Sequence, residues 1–596
     1  MLPGAAVADD FTIAEGETVT TTRTLADPGD SGVIRAGGMI VTTAGNEIAA
    51  EMLNDGQSFY NAGVISTAGG SAWGIHSAGA NSTIVNSGEI ATAGSSGFGI
   101  FSTGASATIT NSGAIATALD AAFGIFVVSS GSTIDNSGSI ATTGLNGFGI
   151  QVAGNGNTIV NSGTITTANA GAIAIIVSGD DNILTSSGAL VSEQDAAISM
   201  GGADNTLNLL AGSAIQGAVK FGDPGSATLN IGPGLNTALT LTGVPATIDT
   251  AGQPYVLSGD LLAVVDPVGI GGAQALLAGA TGGISGSLDQ RMRGSSAGSA
   301  PFLVTSYFPV AETGGDASPA TGWWGDVFGG MSARDGTAGE AGYSQFHGGI
   351  VVGFDREVSA ATTAGLFGGG SAGRFATDAS ASVVSMGGVF GGAYIRHDAG
   401  GFFAGLSVSG GVTFNDSDRH VANNLVAGGI ETASASYAGL HASPSLTVGT
   451  DITVAGATVT PSLRTRYTGI YLDGYSESGS AANVTVGSRV LHVLELRGQV
   501  EAALAARRTD NGTQQVSLRT GADGVFNRGD DIEASLLGSD LSFASGATEN
   551  AARGFVGMDT SYTAVSGRKY NAGFELGYGS DRVLTVDVRA RVIGRF

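Results

Sequence analysis

The sequence predicts an all-β chain in two parts: a right-handed parallel β-helix with 25-residue coils, then a short helix and a 12-stranded transmembrane β-barrel. Three observations predict this. A motif Asn-Ser/Ala-Gly-x-Ile recurs every 25 residues through the first half. From Gly322 onward the pattern changes to segments of about ten residues in which apolar and polar side chains alternate, the period of a strand with two different faces. And 100 glycines against 12 prolines, without a collagen-like Gly in every third place, call for many turns and close backbone approaches rather than helix bundles.

Composition narrows the function before any motif does. With 596 residues and 42% hydrophobic content, the chain is long and apolar enough to fold. It contains no cysteine, which excludes disulfides, Cys-ligated metals and thiol nucleophiles. Up to residue 300 there are five basic residues against 22 acidic ones, and the net charge of the chain is −25. So acidic a first half is repelled by nucleic acid, and no nucleic-acid partner is expected. No apolar run reaches the length of a transmembrane helix, since the stretch Leu261 to Leu277 is broken by Asp266 and Pro267. Residues 1–8 end in an A-x-A-like pattern before Asp9 and are read as a signal-peptide remnant.

The first part is read as residues 9–259. The repeat motif starts at Asn61, Asn86, Asn111, Asn136 and Asn161, with a degenerate copy at Ser186. A second column in the same register holds Trp73, Phe98, Phe123 and Phe148, each followed two residues later by Ile75, Ile100, Ile125 and Ile150. Apolar residues alternate with small or polar ones, so each repeat holds about three short strands between Gly/Ser/Asn turns. Stacked coils about 4.8 Å apart would place equivalent residues in ladders. Ile and Phe ladders are expected inside, and the Asn column is expected to bond amide to amide at a turn. On this reading Phe123→Asp buries an unpaired charge.

Residues 260–321 are read as linker and helix, the helix at about 271–293, with Arg291 and Arg293 complementing its C-terminal dipole. Residues 322–596 are read as the barrel. Tyr570, Ala572, Phe574, Leu576 and Tyr578 share one face; so do Leu584, Val586, Val588, Ala590, Val592, Gly594 and Phe596, with Asp587, Arg589 and Arg591 opposite. Apolar-out, polar-in strands, even in number, are what a membrane barrel requires.

Trp323-Trp324-Gly325-Asp326, Gly329-Gly330, Tyr343, Gly348-Gly349, Val351-Val352-Gly353-Phe354-Asp355, Gly365 and the aromatic Phe596 together resemble the translocator domain of the type V autotransporters. The resemblance spans roughly the last 280 residues and implies a helix in the barrel pore and a β-helical passenger outside the cell. It also implies outer-membrane lipid and the barrel assembly machinery as partners, no cofactor, and a surface or host ligand for the passenger. The assembly signal it implies is Phe596 with Gly594, Val592, Ala590 and Val588 before it, so deleting Phe596 is expected to reduce barrel assembly. Paired asparagines at which some members cut themselves are missing from residues 271–293, so self-cleavage of that kind is not expected.

Catalytic motifs are weak. Gly29-Asp30-Ser31-Gly32 has too little chain before it for a protease triad, and Gly294–Gly298 and Gly369–Gly373 match G-x-S-x-G in a chain full of Gly and Ser. Asp180-Asp181-Asn182 lacks a calcium-repeat pattern, and Arg528-Gly529-Asp530 reads as a solvated loop. Glu89, Asp120, Asp135, Asp180 and Asp195 do not share one column, so no acid/base pair is evident. The sequence therefore favours a non-enzymatic adhesive passenger, the alternative being a carbohydrate-active β-helix.

Overall fold

The computed structural model describes residues 10–293 and 321–595, except 456, 505, 547 and 548. The expected signal remnant and Phe596 lie outside the described residues. The chain forms two compact units. One holds the N-terminal part to Asp266 together with His420–Ala433 and Gly479–Asn483; the other holds the remainder.

The first unit is a parallel solenoid. Each 25-residue coil contributes three short strands, as Thr83–Asn86, Glu89–Thr92 and Ile100–Ser102 do in one of them. The columns seen in the sequence are real neighbours: Ile84 pairs with Ile109, then Ile134, Ile159 and Leu184 follow in register. Beyond Leu184 the coils shorten, the next partners being Leu207, Leu229 and Ile248. The unit then ends in antiparallel pairs, Leu261–Val264 against both Asn236–Thr242 and Tyr255–Ser258.

Two kinds of column hold the coils together. Ile75, Ile100, Ile125, Ile150 and Ile175 are fully buried, as are Ile84, Ile109, Ile134 and Ile159; each such side chain contributes roughly 1.5–3 kcal/mol by leaving water. The asparagines make a buried amide chain, with Nδ2 of Asn61, Asn86 and Asn111 each donating to Oδ1 of the next at 2.7 Å, and Asn136 donating to Asn161 at 2.8 Å. Asn161 donates last to the Ser186 hydroxyl at 3.4 Å. A further column, Thr67, Thr92, Thr117, Thr142 and Thr167, donates each hydroxyl to the carbonyl five residues ahead, satisfying the tight turn that follows.

Replacing Asn111 by Leu strands a donor on Asn86 and an acceptor on Asn136 in a dry interior. A loss of about 3 kcal/mol is expected, read as a lower urea midpoint for the solenoid; an unchanged midpoint would remove the ladder's structural role.

The aromatic column departs from expectation. Trp73, Phe98, Phe123 and Phe148 do form a ladder, with successive ring centroids 5.7, 4.9 and 4.8 Å apart and nearly parallel planes. But it stands outside the core and only partly buried, while the isoleucines two residues later are fully buried in it. The reason is local: the strand begins at Ile100, not at Phe98, and the intervening glycine lies at a bend just before it. A Cβ on Gly99 would lie 2.5 Å from Ile115 Cγ2 and 2.6 Å from the Gly124 carbonyl. The two-residue alternation therefore does not extend back to the ring.

The second unit contains the barrel. Its strands are Thr321–Arg334, Tyr343–Ser359, Thr362–Thr377, Ser382–Ala399, Phe402–Ala422, Ile430–Thr450, Ala457–Leu472, Arg489–Ala503, Gly512–Gly529, Ala551–Ala564, Lys569–Gly579 and Leu584–Arg595; the tips of the fifth and sixth belong to the solenoid unit. Neighbours are antiparallel, and the last strand pairs with the first from Gly322↔Arg595 to Ala333↔Leu584, which closes the sheet. Closure leaves no open edge, the condition for strands to cross lipid. The faces divide as the alternation requires: Phe346, Ile350, Val352 and Phe354 are each more than half exposed, while Tyr343, His347, Val351 and Asp355 between them are buried.

Candidate functional site

Inside the barrel lies a 22-residue helix, Gly272–Arg293, preceded by a single turn at Pro267–Ile270. No described helix is long and apolar enough to cross a membrane, and this one is seated among the inward side chains of the strands. One side of it is apolar: Ile284, Leu288 and Met292 pack with Trp324, Phe328 and Tyr394. Contact there is close because the helix offers glycine. A Cβ on Gly283 would come within 2.2 Å of the Phe328 ring, and one on Gly279 within 2.6 Å of His347 Nδ1.

Ionic contacts hold the rest of the helix. Asp289 accepts from Arg464 at 2.8 Å and from the Thr447 hydroxyl at 2.6 Å. Arg464 and Arg466 share Glu495, and Arg466 also donates to the Thr281 hydroxyl at 2.8 Å. Arg291 pairs with Asp355 at 2.6 Å, and Arg293 with Glu501 at 3.4 Å, so the two helix-end arginines bond to the wall besides opposing the helix dipole. Arg591 pairs with Asp326 and donates to the Ser287 carbonyl, and Arg589 donates to the Gly286 carbonyl. Pairs so buried fix orientation, since removing one partner strands a charge.

Beside the helix remains a cavity of about 200 Å³ lined by its Ala278, Gly279 and Gly282 and by Arg497, Arg519 and Glu575 of the wall. The lumen is thus shared between the helix and an open cavity. Its chemistry is positional: it can hold a helix and restrict passage.

Of the residues of the expected assembly signal, Val588, Ala590, Val592 and Gly594 lie on the last strand, and Phe596 lies outside the described residues. Val588 and Ala590 are exposed, Val592 is partly buried, and a Cβ on Gly594 would stand 2.5 Å from the Trp323 ring.

On the solenoid, the outer ladder widens into two columns. His76, Phe101 and Phe126 stack beside Trp73, Phe98 and Phe123, with centroids 5.4 and 5.1 Å apart along the second column and edge-to-face contacts between columns, such as Trp73 to Phe101 at 4.8 Å. Such contacts each contribute roughly 0.5–1.5 kcal/mol. Burial lowers the proton affinity of the His76 imidazole, with Glu51 opposing. A His whose folded pKa is depressed stabilises the fold above its unfolded pKa of 6.5, and that contribution is lost as pH falls. The solenoid is therefore expected to melt earlier below pH 6, and His76→Phe to remove that part of the pH dependence; identical pH–melting curves would refute the assignment.

The catalytic motifs dissolve into structure. Asp30 accepts from the Asp27 amide at 2.8 Å, and the Ser31 hydroxyl donates to Asp10. Gly369–Gly373 runs through the third barrel strand, and 294–298 lies outside the described residues. Asp180 accepts from the Ala203 amide, Asp120 from that of Leu145, and Asp195 pairs with Lys220 at 2.8 Å. Arg528 and Gly529 are not in a loop, as the sequence suggested, but close the ninth strand, paired with His492 and Leu491, and Asp530 just beyond accepts from the Val490 amide at 2.9 Å. Among the described residues no three His, Asp or Glu gather closely enough to hold a metal ion.

A family model described as the autotransporter beta-domain matches residues 323–579. Among solved structures the chain is similar to the translocator domain of the autotransporter NalP from Neisseria meningitidis, at 17% identity and a TM-score of 0.39 over 53% of this chain and 98% of that one. It is also similar to the beta domain of the Bordetella autotransporter BrkA, at 18% identity and a TM-score of 0.36 over 46% and 100%. A third is the transport unit of the autotransporter AIDA-I from Escherichia coli, at 14% identity and a TM-score of 0.30 over 49% and 94%. No curated protein matches the chain.

Proposed function

We propose, taking as premise that residues 323–579 of this chain are an autotransporter beta-domain, that the solenoid is an adhesive passenger. The barrel stands in the outer membrane and secretes its own N-terminal part to the cell surface. The finer reading, contact with other cells or with a host surface, is supported chiefly by the outer strip of Trp73, His76, Phe98, Phe101, Phe123, Phe126 and Phe148 rings. These rings, partly buried against one another in a continuous row, leave apolar edges on the surface of an otherwise acidic unit, and contiguous apolar surface marks interaction sites. Outer-membrane lipid meets the outward side chains of the barrel, and the barrel assembly machinery acts on the last strand during insertion.

The experiment compares cells displaying the wild-type chain with cells displaying a chain in which Phe98, Phe101, Phe123 and Phe126 are Ser. At matched surface amounts, the reading expects slower sedimentation of the variant cells and weaker attachment to host-derived surfaces. Equal sedimentation and equal attachment would sink it.

A further inference from the structure

The solenoid has an incomplete end. Strand Ala214–Phe221 pairs along its length with the coil before it, but the coil after it covers only Val219 and Lys220, through Leu241 and Thr242. Residues 214–218 would be an open edge, which repeat arrays need capped. The edge is filled by residues 420–433, which in sequence connect the fifth and sixth strands of the barrel and in space belong to the solenoid unit. The Gly217 amide donates to the Asn424 carbonyl at 2.8 Å, and the Gly428 amide donates to Gln216 Oε1 at 2.7 Å. The Asn424 side chain, itself 1% exposed, accepts from the Thr240 amide at 2.8 Å and donates to the Thr240 carbonyl at 2.9 Å and the Gly217 carbonyl at 3.2 Å. Val421 and Ala422 add a parallel pairing to Asn236 and Thr237, and Ala422 joins the solenoid core. Gly429, at φ +73, sits where a Cβ would lie 2.5 Å from the Ile215 amide nitrogen.

We propose that residues 420–433 are the terminal cap of the solenoid, so that its last coils can complete only after the fifth and sixth barrel strands are in place. The cap makes passenger folding contingent on barrel assembly: a chain whose barrel has not formed lacks the segment that satisfies Ala214–Ala218, and its C-terminal coils stay open. This goes beyond the adhesive reading and is independent of what the passenger binds.

The test is hydrogen exchange on the purified full chain in detergent. In the wild type, peptides spanning 214–221 and 236–242 should be protected. In a chain carrying both Asn424→Ala and Gly429→Val, their exchange should quicken about tenfold or more, while peptides across 83–111 and the heat-modifiable migration of the barrel stay as they were. Unchanged exchange at 214–221 overturns the proposal. Should the double variant lose its barrel, a second measurement decides: the chain has no cysteine, so Gln216→Cys with Ala427→Cys can be joined by a short bismaleimide in the otherwise native protein. Efficient cross-linking supports the cap, and none overturns it.

Discussion

Ile125→Asp is expected to open the solenoid in its middle, whereas Phe123→Asp, two residues away, is expected to leave it folded. Ile125 is 0% exposed and pairs in register with Ile100 and Ile150, so the aspartate replaces a buried side chain with a charge that meets no partner. The cost is about 4 kcal/mol or more. Because each coil touches only its neighbours, the loss divides the array at that coil. Phe123 stacks between Phe98 and Phe148 at the surface, and losing those contacts costs about 1–2 kcal/mol with the charge left in water. Proteolysis of the purified chain at rising temperature separates the two: cleavage near residue 125 at low temperature for Ile125→Asp, and a melt only a few degrees lower for Phe123→Asp. Equal effects would place the aromatic column inside after all.

Gly283→Leu is expected to unseat the lumen helix. Even a methyl at this position would stand 2.2 Å from the Phe328 ring, and Phe328 is itself buried, so neither side can yield cheaply. A penalty of about 3 kcal/mol raises the unseated fraction by roughly a hundredfold. Purified barrels in planar bilayers should then conduct in long open periods where the wild type is mostly closed, and residues 272–293 should become open to protease while heat-modifiable migration persists. Wild-type conductance together with a protected helix would mean that the glycine contacts do not seat it.

Most of the architecture is legible because both parts are periodic. A coil of constant length prints its columns into the sequence, so Asn61 through Asn161 announce their neighbours, and the alternation Tyr570, Ala572, Phe574 announces an outward face. The aromatic column misled because Phe98 and Ile100 are spaced like strand neighbours while Gly99 turns the backbone between them. The threonine column from Thr67 to Thr167 is as regular as the asparagines, and its recurrence could have revealed it. A hydroxyl gives no sign in sequence of whether it faces solvent or a buried carbonyl.

The lumen was less legible. Pairs such as Arg464 with Asp289 or Arg591 with Asp326 join residues far apart in the chain, and which charges meet depends on barrel register and on how the helix is rotated. The seating glycines were hidden among the 100 glycines of the chain. The proposed cap at 420–433 carries no motif: apart from the Asn424 side chain it bonds mostly through its own backbone, and only the folded edge of Ala214–Phe221 shows what it completes.

On the proposed function, this chain places its own solenoid outside the cell through a barrel that remains in the outer membrane. Ala105 lies exposed on a coil, and in a chain without cysteine a single Ala105→Cys gives a unique reporter. A membrane-impermeant maleimide applied to intact cells should label it to the same extent as after permeabilisation. Labelling that appears only once the outer membrane is opened would contradict the claim.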